Sequence, residues 1–182
     1  MKRFTCVLTA LFLASCAQTP PPALVAKLKD GEIAVPAGYK SWPSTLLNIQ
    51  RADAKQIRDI YVNSVGASSK AGGKFDNGTV SVMEVYAAQA GADGALIKGA
   101  DGNLVKGNLL KVFVMGKDAG WGDSVSVGLK NGDWVYSSFM PDGKTPAPDP
   151  IAACRTCHLT NPAIGESKDF FARYDEYFAK RK

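Results

Sequence analysis

The sequence predicts an α+β fold, an antiparallel β-sheet with flanking helices and a helix near the C-terminus that carries the chemistry. Two observations predict it. Four runs are rich in β-branched and aromatic residues and are set off by Asn-Gly, Asp-Gly or proline-containing stretches. The last thirty or so residues instead place their cysteines and aromatics at helical spacing.

The elements follow in order. "GEIAVPAGYKSWPSTLLNIQ" is divided by Pro36, Gly38 and Pro43 into short pieces before a modest helix or turn. "QIRDIYVN" (56–63) alternates and reads as a strand. "SVGASSKAGGKFDNG" is loop or short helix ending in the Asn77-Gly78 turn. "TVSVMEVYAA", "NLLKVFVMGK" and "GDWVYSSFM" read as three further strands. Between the first two of these lies an imperfect repeat, "DGALIKGA" then "DGNLVKGN". Its paired Asp-Gly turns suggest a hairpin, and no helix follows them to make a phosphate cradle. "PDGKTPAPDP" is a proline-rich loop. The tail "SKDFFARYDEYFAKRK" is expected to be one amphipathic helix, with Phe170, Phe171, Tyr174, Tyr177 and Phe178 on a face that packs into the core.

The ends set the compartment. Met1-Lys2-Arg3 and "FTCVLTALFLASC" form a basic segment, a short apolar run and a small-residue cleavage region, which is a secretory signal too short to span a bilayer. Leu13-Ala14-Ser15-Cys16 matches a bacterial lipobox, so residues 1–15 are read as a lipoprotein signal and Cys16 as the lipidated residue. Ordinary cleavage after Ala17 is the alternative. Residues 16–30 form a proline-rich tether, expected to be extended and mobile, and residues 31–182 form the folded domain. Loss of residues 1–15 removes Lys2 and Arg3 and no acid, so +5 becomes +3, a mixed surface with no case for nucleic acid. The expected location is the periplasm, with the membrane reached only through the lipid.

The chain's single histidine stands in Cys154-Arg155-Thr156-Cys157-His158. C-x-x-C-H is the attachment signature of c-type haem. Two thiols on one helical turn each add to a porphyrin vinyl group, and the next residue delivers its imidazole to the iron. A zinc site would need four donors, and one histidine with no further cysteine in the mature domain falls short. One covalent haem c per chain is therefore expected, held by Cys154 and Cys157 and ligated by His158.

The sequence resembles the cytochrome P-460 family and its cytochrome c′-beta branch over about residues 31–160. The resemblance rests on "GEIAVPAGYKSW", "IYVN", "GKFDNGTVSVMEVY" and "AACRTCH". It implies a β-sheet fold, a homodimer and five-coordinate haem with His158 as the only protein ligand. In hydroxylamine-oxidising members a lysine following the "F-x-x-G-T-V" segment is bonded to the porphyrin; aligned through "GKFDNGTVSVMEV", that position is Met83 here. A thioether has no nucleophilic amine, so the chain looks closer to the gas-binding branch. Lys111, near the same sheet, reads as an ordinary solvated lysine.

By alternation Met83 shares a face with Ser81 and Val85, and Phe113 shares one with Met115. If the Met83 face holds the haem, Phe113 is expected to cap it from the opposing side, and Phe113 and Met115 fit plain core equally well. Such a pocket is mainly apolar and lacks a proton donor. The readings are, in order, a binder of nitric oxide or carbon monoxide, a His/Met electron carrier serving a periplasmic redox partner, and an enzyme oxidising hydroxylamine or nitric oxide.

Overall fold

The computed structural model describes residues 26–160 and 164–182. The signal segment and Cys16 lie outside the described residues. Strands β1 (Ser44–Arg51), β2 (Gln56–Val62), β3 (Thr79–Ala88), β4 (Lys106–Lys117) and β5 (Trp134–Phe139) form one antiparallel sheet in sequence order. Helices α1 (Ser64–Ser68), α2 (Ile151–Thr160) and α3 (Tyr174–Lys180) complete the α+β fold. Among the described residues no helix is long and apolar enough to cross a membrane.

The sheet is a middle layer. One face packs Leu46, Ile49, Ile60, Val62, Trp134 and Tyr136 against Phe75, Phe171, Tyr174 and Tyr177 from the loops and the tail. The other packs Val82, Val112, Val114, Val135 and Phe139 against Ile33 and Trp121, with Leu28, Val35, Tyr39 and Trp42 around them. Since both faces are covered, every residue of β5 is buried, and its sequence reads as a continuous run with little alternation.

The segment that was expected to hold a helix or turn forms a single 3-10 turn, Tyr39–Ser41, and then strand β1. β1 escapes pattern reading because its register slips between Leu46 and Ile49. Asn48 adopts φ 59°, and its N–H donates to Asp59 Oδ1 at 2.8 Å. That bulge puts Leu46 and Ile49 inside while Leu47 stays exposed, so the alternation is broken.

The repeat forms two stacked turns. Ala90 bridges Leu96 and Lys98 bridges Leu104, while the Asp93 and Asp101 carboxylates accept the N–H groups of Ala95 and Asn103. The tail is not one helix. Asp169, Phe170 and Arg173 have φ of 48°, 55° and 61°, so only Tyr174–Lys180 is α-helical, with Phe170 and Phe171 on the turn before it. Tertiary contacts override the helical pattern: Phe75 meets Phe171, Tyr174, Tyr177 and Phe178 within 6.0 Å. The last residue also pairs with the sheet edge, Lys182 N–H donating to the Thr45 carbonyl at 3.1 Å.

The end of the segment read as a tether is docked. Lys27 pairs with Asp123 at 2.7 Å, and the Asp30 carboxylate accepts the Tyr136 N–H at 3.1 Å.

Candidate functional site

Helix α2 starts directly after Pro150, whose missing N–H costs nothing at a helix start. Its 3.6-residue period places Cys154, Cys157 and His158 on one side, as pairs three and four apart. Arg155 takes the other flank and is almost fully buried. It locks the helix to the body of the domain. Nε and Nη2 donate to Asp30 at 2.6 and 2.8 Å, Nη2 also to the Trp134 carbonyl at 2.9 Å, and Nη1 to the Leu129 carbonyl and Asn131 Oδ1 at 3.3 Å.

The cysteine–histidine side of α2 looks onto a cavity of about 250 Å³. Cys154, Cys157 and His158 line it, together with Met83, Phe113, Met115, Ile60, Ser81, Arg58, Tyr136, Ser137, Phe171 and Ala172. The strand wall is set by register: Ile60 stands opposite Met83, Met83 opposite Phe113, Ser81 opposite Met115 and Met115 opposite Tyr136. Directly opposed residues of antiparallel neighbours point to the same face.

That rule corrects the expected place of Phe113. It is the cross-strand partner of Met83 and stands beside it, not across from it. Lys111 is also not a free lysine: its ammonium donates to both Asp149 oxygens at 2.6 Å and so ties β4 to the entry of α2. Nor is the cavity without donors. Arg58 shares the β2 face of Ile60, and its Nε has no partner. The Tyr136 hydroxyl and Ser137 Oγ are likewise buried without partners. The alternation of "RDIYV" was the signal that would have placed Arg58 with Ile60. Tyr136 was hidden in the uniformly apolar run of β5.

The imidazole is well defined. Tyr136 stands edge-on to the His158 ring at 5.1 Å between centroids, and the Arg155 guanidinium covers the Tyr136 ring at 5.2 Å. His158 Nδ1 lies 2.5 Å from the Phe170 carbonyl. A carbonyl only accepts, so Nδ1 carries the proton and Nε2 keeps its lone pair. Burial pushes His158 below the usual histidine range, against the opposing pull of that carbonyl, which favours the neutral ring. Burial also pushes the Cys154 thiol up, while Cys157 is exposed. Among the described residues no three His, Cys, Asp or Glu side chains converge as a metal-binding group, so the cysteines and histidine do not form a self-contained ion site.

No curated protein matches the chain. The family model described as Cytochrome P460 matches residues 36–170, a span that takes in the whole sheet, the strand wall of the cavity, α2 and the Phe170 carbonyl. The chain therefore belongs to the cytochrome P460 family, and it is a haem-binding cytochrome.

Proposed function

We propose that the protein is an exported c-type monohaem cytochrome whose iron is ligated by His158 and left open on its other side for a small nitrogen-oxide or gaseous ligand such as nitric oxide. The observation that carries this reading is the cavity shared by Cys154, Cys157, His158 and the Met83–Phe113 wall, with a neutral imidazole offering Nε2. The residues fit the group. Two unpaired thiols stand one turn apart beside an apolar wall, and buried Arg58 Nε and Tyr136 Oη have no protein partner. Cys154 and Cys157 would hold the group, each Sγ joining one carbon of a vinyl double bond and the thiol hydrogen ending on the other. When bound, the haem would supply the iron at which a small ligand is taken up. Tyr136 and the Phe170 carbonyl orient the axial ring, and Phe113 and Ile60 keep bulk water from the wall.

Met83 supports a second reading. It lines the same cavity, so its thioether is a candidate sixth ligand in an electron-transfer cytochrome. The third reading, a hydroxylamine-oxidising enzyme with a lysine–porphyrin bond, has less support, because the aligned residue is Met83 and Lys111 is engaged with Asp149. Location in the periplasm through a lipid on Cys16, a homodimeric state and a periplasmic redox partner belong to the same proposal. They rest on the signal-like N-terminus and on the family resemblance.

The intact mass of the purified exported protein tests the attachment. It should exceed the polypeptide by one haem, and the haem should survive denaturant. Changing both Cys154 and Cys157 to Ala should release it. Haem that stays covalently bound in that double variant refutes the assignment.

A further inference from the structure

The turn that presents the Phe170 carbonyl to His158 is built from residues that do not favour its conformation. Asp169 and Phe170 are successive non-glycine residues in the left-handed region, at φ 48° and 55°. A non-glycine residue in that region is strained and persists only where its surroundings hold it. Here the holding group is the Asp169 side chain, which is buried. Its Oδ2 accepts the Phe75 N–H at 2.8 Å and the Lys117 ammonium at 2.8 Å. Lys117 also donates to the Phe75 carbonyl at 2.7 Å, so the lysine, the loop and the aspartate form a closed ring of contacts. The Asp169 carbonyl is fixed separately by Trp134 Nε1 at 2.8 Å, and the Phe170 N–H by the Gly165 carbonyl at 2.9 Å. The end of β4, the start of β5 and the loop before β3 thus converge on the residue before the carbonyl that His158 uses.

We propose that the buried Lys117–Asp169 pair is a positioning device for the axial histidine, holding the Phe170 carbonyl where it accepts the Nδ1 proton. This rests on His158 being the iron ligand. A hydrogen bond from Nδ1–H makes the imidazole a stronger electron donor through Nε2, which strengthens the iron–nitrogen bond and favours ferric over ferrous iron. Lys117 and Asp169 touch neither iron nor ligand; they act through one carbonyl.

The test is made on the exported holoprotein, using the iron–histidine stretching band of the ferrous form in resonance Raman and the reduction potential. Asp169→Asn and Lys117→Met should both move the band to lower frequency and the potential to higher values. Lys117→Arg, which keeps the cation, should return both toward wild type. Asp59→Asn, which breaks the Lys106–Asp59 pair elsewhere on the sheet, should move neither, even where stability falls. Should Asp169→Asn fail to accumulate, Lys117→Met carries the test, because Phe75 N–H still fills one site on the aspartate. Folded Lys117→Met or Asp169→Asn protein with wild-type band and potential overturns the positioning role alone. A wild-type protein whose ferrous spectrum is unchanged by His158→Ala overturns the reading of the site, and the positioning role with it; where a sixth ligand hides the band, the reduction potential carries the test.

Discussion

Arg155 and Asp30 form a two-point ion pair, Nε to Oδ2 at 2.6 Å and Nη2 to Oδ1 at 2.8 Å, across 125 positions of sequence. The arginine lies between the two cysteines of the motif, and the aspartate comes from the segment before the domain's first turn. The helix that bears the cysteines is therefore clamped from the N-terminal end of the fold.

Removing the guanidinium strips five contacts and leaves Asp30 without its cation, held only by the Tyr136 N–H. Arg155→Met should cost about 3 kcal/mol, as for other broken buried pairs. Asp30→Asn should cost less, since Asp30 is partly exposed. Arg155→Lys should recover little, because an ammonium cannot make the forked contact. Urea unfolding of the holoprotein, read as midpoint and slope, checks this.

Glu84 sits on the opposite face of the sheet and is fully buried among Tyr39, Tyr61 and Tyr86 hydroxyls, with Lys40 Nζ at 2.7 Å. Burial by itself would raise its pKa, but the bonds from Lys40, Tyr39 and Tyr86 outweigh it and hold the carboxyl below its ordinary value of 4.5. A depressed folded pKa contributes stability that is present above the unfolded value and lost as pH falls through the folded one. Wild-type stability should therefore drop as pH falls below about 4.5. Glu84→Gln should be destabilised by about 2 kcal/mol near neutrality and show a flatter acid limb. Equal acid limbs in the two proteins would remove Glu84 as a source of the pH dependence.

Arg58 brings a positive charge to the cavity; burial lowers its pKa, and a guanidinium stays protonated in proteins. Arg58→Met should weaken binding of azide to the ferric protein roughly tenfold, the worth of one bond to a charged group. Carbon monoxide affinity of the ferrous protein should hardly change, because the ligand is neutral. Azide titration against a carbon monoxide titration separates the two. Equal losses for both ligands would show that the substitution had disturbed the cavity itself.

Much of this was legible in the sequence, for reasons that differ by element. β3 could be read to the residue because "TVSVMEVYAA" is flanked by turn residues and its register is unbroken against β2. Cys154, Cys157 and His158 could be placed together because spacings of three and four on a helix put them on one side, and all three line the cavity. β1 could not, since the Asn48 bulge breaks the period that strand reading relies on. The tail misled because its aromatics have helical spacing while Asp169 and Phe170 are pulled into left-handed conformations by Lys117, Phe75 and Trp134, all distant in sequence. Pattern alone also placed Phe113 across from Met83, when only the strand register shows them side by side.

Whether the iron site on His158 is open is decided by the absorption spectrum of the reduced protein before and after carbon monoxide. Wild type should be five-coordinate, shift strongly on adding the gas, and behave the same in Met83→Leu, a volume-conserving change expected to cost less than about 1.5 kcal/mol. A wild-type ferrous protein that is six-coordinate, ignores carbon monoxide and becomes five-coordinate in Met83→Leu would contradict an open site.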